Sequence, residues 1–148
     1  MDSFDAKILA IVQRNNRLTH EQIGKKLNAS ASAVRRRLNR LRANGVIVAD
    51  VSIVNPGKSR VTVITSIRLS QETRKVYETF QSKMEACEEV AQCYTVSGAA
   101  DFIVIGHFID LPSYEAWIDK YIHGDDNVQR SDTNVVYSRV KFETAISV

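Results

Sequence analysis

Five arginines, Arg35, Arg36, Arg37, Arg40 and Arg42, fall within eight consecutive positions, and no acid interrupts them. A guanidinium presents its donors in a planar fork that matches two oxygens of a phosphate or the O6/N7 edge of guanine. Asn39 lies among them, and its amide could span the N6/N7 edge of adenine in the same bidentate way. Ser30 and Ser32 stand just upstream, where the free N–H groups of a helix start suit a phosphate oxygen. Lys25 and Lys26 add two point charges before them. The chemistry these residues offer is recognition of a polyanion.

The positioning element is a helix over residues 30–43, capped by Ser30 and closed by Gly45 as a left-handed C-terminal residue. At about 100° per residue, Val34, Leu38 and Leu41 make one apolar stripe. Ser32, Arg36, Asn39 and Arg40 fall on the opposite face, and of these Arg36, Asn39 and Arg40 are the candidates for base edges. Arg35 and Arg42 flank the stripe on one side and Arg37 on the other, placed for phosphate or for pairing with an acid such as Asp5. A helix that is merely a solvated face would interleave acids at i,i+4, and this one does not.

Two shorter elements precede it. Asp2 or Ser3 can cap a helix with Phe4, Ile8, Ile11 and Val12 on one face, fading at residues 15–17. Thr19 and Gln22 form a capping box that opens a second helix with Ile23 and Leu27 inward, followed by a tight turn at Asn28 and Ala29. Short helix, tight turn and longer helix make a helix-turn-helix. The absence of an aromatic stacking platform favours double-stranded DNA over RNA.

Charge separates this region from the rest. The chain has 148 residues and a formal net charge of +3, but residues 1–60 hold 12 basic and 4 acidic residues, net +8. Residues 61–148 hold 8 basic and 13 acidic, net −5. The asymmetry predicts two modules, 1–60 for DNA with a linker strand at residues 46–54, and 61–148 for other work. That β-branched strand has no partner in its own module, so it must pair with the second module or with another subunit. A turn at residues 55–59 closes it.

The second module reads as strand (residues 61–69), helix (71–86), strand (90–96), turn (97–101), strand (102–109), an Asp110-capped helix ending at Gly124, and a last strand at residues 135–146. The order βαββαβ predicts a ferredoxin-like antiparallel sheet with both helices on one face, so the chain is α+β. The opposite sheet face then awaits another copy. Cys87 and Cys93 lack metal-ligand spacing, and His20, His107 and His123 show no HExxH-type pattern. No cofactor, metal or catalytic site is expected. No run approaches the ~18 apolar residues of a membrane span, and the N-terminus is unlike a signal peptide, so the expected location is cytoplasmic.

The residues resemble those of the Lrp/AsnC, or feast/famine, family of transcription factors. The matching stretches are Asp2-x-x-Asp5-x-Lys7-Ile8-Leu9, the capping box into Ile23, Ser30 through Leu41, and Gly45-Val46-Ile47. In the second half they are Val96-Ser97-Gly98-x-x-Asp101-Phe102 and Val140-Lys141-Phe142-x-Thr144. The resemblance implies a winged-type helix-turn-helix joined to an effector and oligomerisation module. It also implies homodimers that assemble to tetramers, octamers or larger discs on the nucleoid, and an amino acid effector bound between dimers. The effector loop maps to Gly98, Ala99, Ala100 and Asp101, with Thr133, Asn134, Val135 and Val136 as the neighbouring wall. The family loop usually carries an acid and an aromatic where this chain has Ala99 and Ala100. A roomier pocket and a lost effector site both follow from that change, the latter leaving an effector-independent DNA-binding or nucleoid-organising protein.

Overall fold

The computed structural model describes residues 1–55 and 60–148. They form two compact units, Met1–Ile53 with Val140–Val148, and Val54–Arg139.

The first unit is built on three helices, α1 (Ser3–Val12), α2 (His20–Leu27) and α3 (Ala31–Ala43). Each begins on a side chain that satisfies otherwise orphaned N–H groups. Asp2 caps α1 in a reciprocal box with Asp5, Thr19 caps α2 in a box with Gln22, and Ser30 accepts from the Ala33 N–H. Asn28, at φ 52°, ends α2, and Gly45, at φ 68°, follows α3 in the left-handed region. The apolar stripes of the three helices meet in one core of Ile8, Leu9, Ile23, Val34, Leu38 and Leu41. Ile47 packs against it.

The second unit has β1 (Val61–Leu69), α4 (Arg74–Glu85), β2 (Val90–Thr95), β3 (Phe102–Phe108), α5 (Leu111–Ile118) with a π-helical turn at Asp119–His123, and β4 (Val128–Val135). The antiparallel strands lie in the order β2-β3-β1-β4, the expected ferredoxin-like arrangement. Alternation along β1 and β3 sends Val63, Ile67, Leu69, Phe102, Val104 and Phe108 into a core with Phe80, Met84, Trp117 and Ile122 from the helical layer. Thr65, also buried, is satisfied by Tyr114 Oη at 3.2 Å. The opposite face, with Ile64, Ile103, Ile105 and His107, stays partly exposed.

Two expected strands are not formed. Residues 46–55 form no strand: the Val46 and Ile47 N–H groups turn back to the Leu41 carbonyl, and Val48, Val51, Ile53 and Val54 are exposed, with no described segment offering them a ladder. Residues 56–59, most of the expected turn, lie outside the described residues. The last strand is Val128–Val135 rather than residues 135–146. Residues 140–148 instead join the helical unit, where the Gln13 side-chain amide accepts from the Ile146 N–H at 2.7 Å and donates to the Ile146 carbonyl at 3.1 Å.

Candidate nucleic-acid interface and ligand cleft

Burial of Val34, Leu38 and Leu41 fixes the rotation of α3 about its axis and leaves Ser32, Arg35, Arg36 and Asn39 exposed. Arg35 and Arg36 have no acidic partner among the described residues. The Ser30 hydroxyl oxygen accepts from the Ala33 N–H and lies 3.1 Å from the Ser32 hydroxyl. On α2, Lys25 pairs with Glu21 at 2.9 Å while Lys26 is exposed and unpaired among the described residues.

Arg40 is exposed, as the helical wheel places it, but its guanidinium is already paired. Its Nη2 lies 2.7 Å from Asp5 Oδ2 on α1, and Arg37 Nη1 lies 3.3 Å from Asp5 Oδ1 and also pairs with Asp2. The long side chain lets a guanidinium on the face opposite the core reach a carboxylate of α1. Asp5 is fully buried. Burial works to raise its pKa, yet the Asp2 N–H at 3.0 Å and the Arg40 and Arg37 charges outweigh that and hold it below the ordinary carboxylate value. Arg42 forms a two-pronged pair with Asp50, at 2.9 and 3.3 Å.

Sequence reasoning missed Gly24. A Cβ there would run into the Ala29 carbonyl oxygen, so its missing side chain lets the α2–α3 turn close. The signal was a glycine inside an otherwise regular helix.

In the second unit, the loop after β2 is closed by Asp101. The Asp101 N–H donates to the Ile67 carbonyl at 2.8 Å and its carbonyl accepts from Val96 at 2.9 Å. Its carboxylate faces inward, taking the Tyr77 hydroxyl at 2.6 Å and the Leu69 N–H at 2.7 Å, with Arg68 Nε at 3.7 Å. Desolvation opposes its charge, but those donors prevail and hold its pKa below the ordinary value. The same hydrogen bond pushes the Tyr77 hydroxyl up to about 12. Gly98, at φ 117°, supplies a loop conformation that other residues rarely adopt, and its carbonyl accepts from Arg68 at 3.2 Å.

Beside this loop lies an open cleft of about 560 Å³ lined by Ser66, Ile67, Arg68, Ala99, Ala100, Gln129, Arg130 and Asp132. Arg68 and Arg130 are register partners on β1 and β4, and Arg130 grips Asp132 through two 2.9 Å hydrogen bonds. Of the expected loop residues, Ala99 and Ala100 line the cleft, whereas the Asp101 carboxylate points away from it. The expected wall at Thr133, Asn134, Val135 and Val136 does not line it. Thr133 turns to the helical layer and bonds Tyr114 Oη at 2.5 Å. On this side the cleft is lined by Gln129, Arg130 and Asp132, earlier in β4.

Two known families match the chain in succession. Residues 1–48 match a winged helix-turn-helix DNA-binding family, and residues 62–146 match the Lrp/AsnC ligand binding domain. An uncharacterized HTH-type transcriptional regulator of Sinorhizobium fredii is 38% identical over 100% of this chain and 89% of its own. The structure of an AsnC family transcriptional regulator from Agrobacterium tumefaciens superposes with a TM-score of 0.90 at 26% identity, covering 99% of this chain and 96% of that one. A Neisseria meningitidis transcriptional regulator in complex with L-Met shares the fold, with a TM-score of 0.90 at 22% identity and coverage of 99% and 96%. With both units matched in order and the ligand-binding pattern spanning more than half of its length, the chain belongs to the Lrp/AsnC family of transcriptional regulators.

Proposed function

We propose that this regulator reads DNA sequence with Arg36 and Asn39, anchors on phosphate with Ser30, Ser32, Arg35, Lys25 and Lys26, and responds to an amino acid held in the cleft beside Ala99 and Ala100. The observation that carries the DNA reading is the exposure of Arg35, Arg36 and Asn39 on a helix whose rotation is locked by a buried stripe. Arg36 and Asn39 have the bidentate donor sets that base edges require. The amino acid is supported by the cleft's polar lining of both signs, Arg68 and Arg130 with Asp132, which suits a zwitterion. The L-Met complex of the Neisseria protein points the same way. Self-association through the partly exposed sheet face belongs to the same reading, with Ile64, Ile103 and Ile105 as its apolar part.

Two measurements test this reading. Arg36→Ala should relax preference at some base pairs, each worth about 1–3 kcal/mol, whereas Lys26→Ala should weaken all duplexes alike and flatten the salt dependence. Equal weakening by both sinks the assignment of the reading face. A thermal-shift screen of the common amino acids, repeated on Arg130→Ala, tests the effector: it requires a ligand that raises the melting temperature of the parent and not of the variant. The inward-facing Asp101 favours a second reading, a DNA-binding protein that needs no effector, and a screen in which no amino acid shifts the melting temperature selects it.

A further inference from the structure

All four acids of the basic module are engaged with cations. Glu21 holds Lys25, Asp2 and Asp5 hold Arg37 and Arg40, and Asp50 holds Arg42. Three of the five α3 arginines are thereby neutralised, while Arg35 and Arg36 are left to solvent. Arg40 is the notable case, since it stands four residues after Arg36 and next to Asn39, on the face turned away from the core. A buried carboxylate is costly unless it is paired and hydrogen-bonded, and Asp5 is fully buried on α1 against exactly these α3 guanidiniums.

We infer that Asp5 is a specificity-determining residue of the DNA interface, one that withholds Arg40 from the phosphate backbone so that sequence is read by Arg36 and Asn39. Resting on the DNA-binding reading above, this assigns Asp5 a positioning role, since it acts through Arg40 without touching DNA. A sequence-independent phosphate contact raises affinity for every duplex and so dilutes discrimination. An acid that occupies one guanidinium of the reading helix removes such a contact, and its pair with Arg40, half exposed to solvent, is the place where DNA would compete.

The test measures binding of the full chain to a random-sequence duplex and to a duplex enriched from a randomised pool by the wild-type chain, across about 50 to 200 mM salt. Asp5→Asn should steepen the salt dependence on the random duplex by about 0.9 in log–log slope for each reading helix, which reads as about three- to fourfold greater loss of affinity over that range. It should also narrow the preference for the enriched duplex. Asp5→Asn combined with Arg40→Gln should restore the wild-type slope, and Arg40→Gln alone should leave both duplexes bound as by the wild type. A folded Asp5→Asn chain with an unchanged slope overturns the inference, as does an Arg40→Gln chain that loses affinity in the manner of Arg36→Gln. Should Asp5→Asn fail to fold by circular dichroism, the Arg40→Gln result decides alone. A wild-type chain with no salt-dependent binding to either duplex refutes the DNA reading itself, whereas normal wild-type binding with unaltered variants refutes only the role of Asp5.

Discussion

The Tyr77 hydroxyl donates to Asp101 Oδ1 at 2.6 Å, and that one bond ties α4 to the loop that borders the cleft. The other carboxylate oxygen takes the Leu69 N–H at the end of β1, so Asp101 joins three elements. Hydrogen bonds to a charged group contribute about 1.5–3 kcal/mol. Tyr77→Phe should therefore destabilise the chain by about that amount, seen as a lower urea midpoint with an unchanged slope. Asp101→Ala should cost more, because it also strands the Leu69 N–H. A tyrosine variant as stable as the parent would show that the loop is held by its backbone bonds alone.

Acid should act through two of these carboxylates. Asp101 and Asp5 are both held below the ordinary carboxylate value, so each contributes stability that is fully present above the unfolded-state pKa of about 4. That contribution is lost as pH falls through the folded-state values. The urea midpoint should stay level from neutral pH down to about pH 5 and fall below about pH 4. Asp101→Asn should lower the midpoint at neutral pH and flatten the acid limb; a limb as steep as the parent's would assign the acid sensitivity elsewhere.

Periodicity reports burial, and the elements it located are those whose faces are buried. Val61–Leu69 alternates because every second residue faces the helices, and α3 was legible because Val34, Leu38 and Leu41 recur at helical spacing. β4 has no such signal. It lies at the sheet edge and its sequence, Val-Gln-Arg-Ser-Asp-Thr-Asn-Val, is held by its ladder with β1 more than by apolar packing. The alternation of Val140, Phe142 and Ile146 is stronger, yet these side chains are exposed and form no strand. At the candidate sites, composition marks α3, but which arginines are paired depends on a carboxylate on α1. The direction of the Asp101 side chain depends likewise on Tyr77, 24 residues earlier.

Gly24 should be the least replaceable residue of the helix-turn-helix. Its α-carbon lies against the Ala29 carbonyl, and the Ala29 N–H in turn donates to the Gly24 carbonyl at 3.0 Å. A methyl group there must push the turn open, at a cost of about 1–3 kcal/mol, and swing α3 relative to α2. Gly45→Ala has open space around its Cβ and suffers only its positive φ, a penalty of about 1–2 kcal/mol. Both variants should therefore lower the melting temperature, but only Gly24→Ala should also weaken DNA binding in protein that is still folded. Equal binding by the two would separate the turn geometry from recognition.

The tail makes the last prediction. Gln13 follows the end of α1, and its amide grips the backbone of Ile146 from both sides, as a neighbouring strand would. The pair is exposed, so water competes for it and its net contribution should be at the low end, about 0.5 kcal/mol. Stability alone would hardly reveal the loss. Hydrogen exchange would, because among the described residues the Ile146 N–H finds its partner in Gln13, at 2.7 Å. Gln13→Ala should bring its exchange to the rate of an unprotected amide, leaving the β1 and β3 amides of the other unit unchanged. Exchange at Ile146 that is slow in both chains would mean that the tail is protected by another contact, such as pairing with a second copy through its exposed apolar residues.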